Sequence, residues 1–245
     1  DGDVMVGGTY HNGTLIKYKD IYHGGLNTPT ANGWLAELGG DNFRGFVNYG
    51  DSKIGYHDNG AFQFSPVRTT RITSRAFDDN NNANTSYSTG EYGNFGFSPN
   101  NYNTFYSPVE TKLMYTTNGG VSFEEIYDFG GSKVIQVKVA WSNPNYIYVT
   151  HKPSGGVTKI MKSIDKGITW TDVTPSSTVT NNNQNRGKYI DVDEKDPNKL
   201  WCILIGGQTG NKVFKSIDGG TNWTNITGNA INSENVVSIF HHYGS

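Results

Sequence analysis

The chain has 245 residues, enough for one large all-β domain or two ordinary ones. A formal net charge of -2 leaves neither a basic field for nucleic acid nor an acidic tail, and no apolar run is long enough to span a membrane as a helix. Gly (31), Tyr (15) and Phe (12), with no capped helical stripe in any window, point to short strands joined by turns.

The chain opens on DGDVMVGG without Met or a signal peptide, which reads as a mature or excised segment. With its low charge and Asn/Thr/Gly-rich loops, this suggests a secreted or cell-surface setting and further domains of the same precursor. The first predicted strands are VMVGG (4–8), TLIKYK (14–19) and Trp34–Leu38, the last two separated by an insertion over 20–33. A second group follows: FRGFVNY (43–49), IGYH (54–57), AFQFSPV (61–67) and RITSRAF (71–77). The polar stretch 78–90 then leads to three clear repeats.

Each repeat holds an alternating strand, a tight polar turn and a second strand that opens on an aromatic. The sequences are KLMYTTNGGVSFEEIY from Lys112, KIMKSIDKGITWTDVT from Lys159 and KVFKSIDGGTNWTNIT from Lys212. The turns place Ser163, Asp165, Gly167 and Trp170 in register with Ser216, Asp218, Gly220 and Trp223, and with Thr116, Asn118, Gly120 and Phe123. Carboxylate and hydroxyl can satisfy turn N–H groups, Gly supplies a positive φ, and the aromatic packs back over the hairpin. A second marker, Pro99, Pro144 or Pro197, precedes Asn118, Asp165 or Asp218 by 19, 21 and 21 positions and separates two further apolar runs. The unit is therefore strand, Pro-Asn turn, strand, loop, strand, Asp-Gly turn, strand.

Four antiparallel strands in about 40–50 residues make a propeller blade. The predicted fold is an all-β, single-domain β-propeller of about five four-stranded antiparallel blades. Its units are 1–40 plus 236–245, 41–90, 91–131, 132–180 and 181–228. The run VVSIFHH (236–242) has the character of a first strand, which the opening unit lacks, so the reading has it close the ring beside VMVGG. A fragment of a seven- or eight-bladed propeller is the alternative.

The turns SIDKGITW and SIDGGTNW resemble the Asp-box, or BNR repeat, of sialidases, sortilin-type Vps10 domains, photosystem II assembly factors and xyloglucanase-type glycoside hydrolases. DPNKLWCIL and NPNYIYV are most similar to the xyloglucanase group and its secreted Vps10-like relatives. The resemblance covers roughly residues 94–227. It implies a propeller whose Asp-boxes are structural and lie on outer turns, away from the ligand face.

The ligand face is then expected among the second-to-third-strand loops and the connections between blades. Asp58, Asp78, Asp79, Tyr87, Glu91, Tyr92, His151 and Arg186 are the candidate ligand-binding residues, with Trp141 a further stacking platform. Sialidase chemistry is disfavoured, since three of the five arginines (Arg68, Arg71, Arg75) share one hairpin. No motif singles out the carboxylate pair that glycoside hydrolysis requires. The cluster DVDEKD (191–196) has Asp191 and Asp193 on one strand face, but it reads as a strand end and turn; no metal or cofactor is expected. Cys202, the single cysteine, reads as a small buried hydrophobe. The favoured function is a non-catalytic extracellular module that binds a polysaccharide or protein partner. A xyloglucanase-type hydrolase is the alternative.

Overall fold

The computed structural model describes residues 95–119, 122–175, 188–204 and 209–233, with Val236, Ile239 and His241, and the backbone of six strands before residue 95. By compactness the chain divides into two units: 1–91 with 101–105 and 115–124, and 92–100 with 106–114 and 125–245.

In the first unit, β1 (Met5–Thr9), β2 (Gly13–Lys17) and β3 (Trp34–Glu37) form an antiparallel sheet. A second antiparallel sheet is built from β4 (Gly45–Val47), β5 (Ile54–His57) and β6 (Val67–Thr70). Strand β6 covers 67–70, which the sequence reading leaves between strands at 61–67 and 71–77; apart from Val67, those two runs lie outside the described residues. The β-branched run Val67, Thr69 and Thr70 favours extension across that boundary, directly after Pro66, which suits the start of a strand.

Three four-stranded sheets follow, each a meander in chain order. The third blade comprises β7 (Gly96–Phe97), β8 (Phe105–Val109), β9 (Lys112–Thr116) and β10 (Glu124–Asp128). The fourth comprises β11 (Ser132–Val139), β12 (Ile147–Pro153), β13 (Lys159–Ser163) and β14 (Thr171–Asp172). The fifth comprises β15 (Lys188–Val192), β16 (Leu200–Leu204), β17 (Val213–Ser216) and β18 (Thr224–Asn225). Among the described residues the one helical element is a single 3-10 turn, Asn229–Ile231, and no helix is long and apolar enough to cross a membrane.

Burial follows position in the blade. β8, β11 and β12 are almost wholly buried because both faces meet neighbours, whereas β10, β14 and β18 are mostly exposed outer strands. Tyr148, Ile160 and Val173 of blade four pack with Ile190, Leu200, Cys202, Leu204 and Phe214 of blade five in one apolar cluster. Burying such side chains is the main force holding blade to blade, at roughly 1.5–3 kcal/mol for each fully buried large aliphatic or aromatic.

Polar groups fix the register between these blades. A bulge in β11 after Val134 frees Gln136 to bridge to the next inner strand. Its amide donates to the Ile190 carbonyl at 3.2 Å and accepts the Ile190 N–H at 3.0 Å. Two residues on, Lys138 pairs with the buried Asp191 at 2.8 Å. The other Asp191 oxygen accepts the His241 N–H at 2.5 Å, and the His241 ring stacks on Trp201 with centroids 3.9 Å apart. Val236, Ile239 and His241 are not in a strand, and the expected pairing of 236–242 beside β1 falls largely outside the described residues.

Candidate functional site

Two ends of each blade differ in character. At one end lie the first-to-second-strand and third-to-fourth-strand turns. Here Ser163 Oγ donates to Asp165 Oδ1 at 2.7 Å and accepts the Gly167 N–H, while Asp165 also collects the N–H groups of Ile168 and Thr169 and the Thr169 hydroxyl. The hydrogen bonds from Thr169 and Ser163 hold the Asp165 carboxyl down at about 2. Ser216, Asp218, Gly220 and Asn222 repeat the arrangement, and bonds from Asn222 and Ser216 lower the Asp218 carboxyl. In the third turn Thr116 donates to Asn118, which accepts the Ser122 N–H, and Phe123 packs edge-on against Phe105; Gly120 lies outside the described residues.

The expected positive φ is found at Gly167 and Gly220, and the turns add two features. Each places positive φ one residue before the expected Gly, at Lys166 (62°), Gly219 (70°) and Gly119 (71°), with Gly167 and Gly220 following at 93° and 89°. The aromatics also differ. The Trp170 ring N–H donates to Gly167 of its own turn, but that of Trp223 reaches back to the Val173 carbonyl of the preceding blade. The two sequence markers meet at this end: the N–H groups of Gly119, Lys166 and Gly219 donate to the carbonyls of Asn103, Asn145 and Asn198, at 2.8, 3.0 and 2.7 Å. Trp141, 45% exposed, lies in the β11–β12 turn and so sits at this end rather than with the second-to-third-strand loops.

The opposite end of blade four carries a groove of about 610 Å³. It is lined by Pro153, Gly156, Val157 and Thr158 of the β12–β13 loop and by Lys159, Asp172, Thr174 and Pro175. Lys159 and Asp172 form an ion pair across it at 3.0 Å. Burial pushes the Asp172 carboxyl up, but bonds from Thr174 and Lys159 outweigh it and leave the group below the usual range. Beside the groove stands an aromatic wall. The Phe129 ring meets Tyr127 at 4.8 Å and Trp170 at 5.2 Å, both edge-on, and stacks on His151 at 4.8 Å. Trp170 lies two residues before Asp172, on the same side by strand alternation, and Lys159 is the cross-strand partner of His151. Wall and groove thus share one face of blade four. Stacking surface next to charged and hydroxyl groups suits a ligand with alternating apolar faces and hydroxyl edges.

Of the predicted ligand-binding residues, only His151 is among those described; Asp58, Asp78, Asp79, Tyr87, Glu91, Tyr92 and Arg186 lie outside them. His151 is 6% exposed, so it sits behind the wall rather than on it. Burial, then the nearby Lys159 charge, lowers its basicity, with Asp172 opposing. Asp191 and Asp193 are buried and matched by Lys138 and Lys199. Among the described residues no three His, Cys, Asp or Glu converge. Sequence reasoning put the 129–132 connection on the ligand face without singling out Phe129, and missed Tyr127, Lys159, Asp172 and Thr174. The alternation Trp170, Asp172, Thr174 was the available signal.

No protein family model matches the chain, and no curated protein matches it by sequence. Solved structures do match. An ancestral GH74 enzyme superposes with a TM-score of 0.55 at 17% identity, covering 78% of this chain and 25% of its own. The GH74 xyloglucanase from Xanthomonas campestris gives 0.51 at 14%, covering 75% and 30%. An outer-coat vertex structure of COPII on membranes gives 0.51 at 9%, covering 87% and 55%. The chain therefore spans between a quarter and just over half of the length of these proteins. At such identities the likeness speaks to fold alone: the chain is built as a β-propeller of four-stranded antiparallel blades.

Proposed function

We propose that this chain is a non-catalytic propeller module of a secreted or cell-surface protein, and that it binds polysaccharide at the crevice on blade four. The observation that carries the reading is the aromatic wall of Tyr127, Phe129 and Trp170 beside the Lys159–Asp172 pair. Sugar rings offer apolar faces to such a wall and hydroxyls to such a pair. The turns at the other end are read as Asp-boxes, which ties the chain to the Vps10-like and xyloglucanase-type propellers by motif. Titration calorimetry against xyloglucan, other β-glucans and sialosides tests the reading, run beside a reducing-end assay. Binding without turnover is expected, with affinity falling about tenfold or more in Tyr127→Ala, whose ring is 36% exposed.

A glycoside hydrolase is the second reading, favoured by the GH74 enzymes among the structural neighbours. Release of reducing ends that disappears in Asp58→Asn, Asp78→Asn or Glu91→Gln would replace the module with this alternative.

A further inference from the structure

We propose that His151 is a proton-operated clamp on the crevice: its neutral ring holds Phe129 against blade four, and protonation releases Phe129 and breaks up the aromatic wall. The inference about ligand rests on the glycan reading above; the inference about the clamp does not.

The geometry is specific to this position. His151 lies two residues before the end of β12 and is more than nine-tenths buried, yet neither ring nitrogen has a hydrogen-bond partner among the described residues. The ring acts as a flat surface. That surface is used: Phe129 lies over it with an interplanar angle of 29°, and Phe129 in turn holds Tyr127 and Trp170.

An imidazolium at this place meets poor surroundings. From β11 it faces Val134, its cross-strand partner, which is apolar. From β13 it faces Lys159, which is like-charged. From β14 comes Asp172, whose carboxylate is already bonded to Lys159 and Thr174. The 127–131 segment brings Tyr127, Phe129 and Asp128, and the Asp128 carboxylate is engaged by the Gly130 N–H at 2.9 Å. A charged ring gains no acceptor and must seek water, which the overlying Phe129 excludes.

The segment that would have to yield is built to do so. Gly130 and Gly131 follow Phe129 at φ 53° and 68°, and a Cβ at either would meet nothing within 4 Å. The chain beyond Phe129 thus has room to move, while the Phe129 N–H stays bonded to the Thr111 carbonyl at 2.8 Å, so release swings the ring rather than the whole segment. The sign follows from linkage. Because the folded clamp holds the ring neutral, the unfolded or opened chain takes the proton first. Closure is complete above the ordinary imidazole value near 6.5 and is lost as pH falls below it.

The test is the near-ultraviolet circular dichroism of the whole chain from pH 7.5 to 4.5. Wild type is expected to lose aromatic signal in a single-proton transition below pH 6.5. His151→Phe, which keeps a ring under Phe129, is expected to stay flat, and His241→Gln, which alters the second histidine–aromatic stack among the described residues, is expected to titrate like wild type. A flat wild type, or an unchanged transition in His151→Phe, overturns the clamp. Should His151→Phe not fold, histidine-selective NMR on wild type replaces it: Phe129 ring signals must move with the His151 titration, and independence of the two overturns the proposal. The ligand arm compares xyloglucan affinity at pH 7.5 and 5. A drop of about tenfold or more in wild type, absent in His151→Phe, supports the gate, whereas equal affinity at both pH values in wild type overturns it. Failure to bind any glycan at either pH defeats the glycan reading and leaves the clamp to the spectroscopic arms.

Discussion

Lys166 stands where the other two turns use Gly, at a φ of 62° that L side chains rarely adopt. Lys166→Gly should therefore stabilise the protein by roughly 0.5–1 kcal/mol, the relieved strain less the added entropy of the unfolded chain, read as a higher urea midpoint. Gly220 is the reverse case. At φ 89° a Cβ would come within 2.7 Å of the Val173 side chain, so Gly220→Ala should cost about 2–4 kcal/mol from strain and overpacking together. The Asp165 carboxylate supplies a pH test. Held at about 2, it contributes stability that is present above its ordinary value near 4 and lost as pH falls toward 2, so Asp165→Asn should flatten the acid-melting profile in that window. Cys202, fully buried, should react with thiol reagents only on denaturation.

At the scale of the element, the outer strands of blades four and five are short because side chains finish them. β14 ends at Asp172, and the Thr174 hydroxyl then accepts the Ile160 N–H at 3.0 Å. In blade five the Thr227 hydroxyl accepts the N–H groups of both Lys212 and Val213. Thr174→Val should cost about 1–2 kcal/mol and Thr227→Val more, measured by denaturant unfolding, because one and two backbone donors lose their partners. Most strands were legible in the sequence, since alternation of apolar residues and the Pro-Asn and Asp-Gly markers bracket them. Where no marker stood, at β6, residues 68–70 were left out of the predicted strands. The threonine closures were visible only as the repeated TDVT and TNIT, whose hydroxyls carry no pattern that distinguishes a strand from its end. The crevice was hidden for a different reason. Phe129, His151 and Trp170 come from three separate elements, and only the packing of one blade on the next brings their rings together.

At the scale of the molecule, adjacent blades are tied by directed bonds as well as by apolar burial. The Tyr106 hydroxyl donates to the Lys166 carbonyl of the next blade at 3.3 Å, and the buried Tyr148 hydroxyl donates to the Pro197 carbonyl at 2.8 Å. Burial, with smaller contributions from Tyr146 and Asp196, keeps the Tyr148 phenol far above its ordinary titration range, so it remains a donor throughout the accessible pH scale. Tyr148→Phe should cost about 1–2 kcal/mol by urea unfolding, leaving the Pro197 carbonyl short of a partner with little change in packing. Trp201 occupies the place in β16 that Tyr148 holds in β12. It has no hydroxyl to send forward and is covered instead by the stacked His241.

That single exchange of Trp for Tyr gives loss of structure an order in time. Blade four is gripped from one side by the bond from Tyr106 and grips the other through Tyr148, whereas blade five carries a stacked ring at the place of Tyr148. Of these two blades, the fifth should open the more readily. Native-state amide exchange followed strand by strand should then show β16 and β17 releasing their protons before β12 and β13, and Trp201→Tyr should leave that sequence of events intact unless a new forward bond forms to slow the first step.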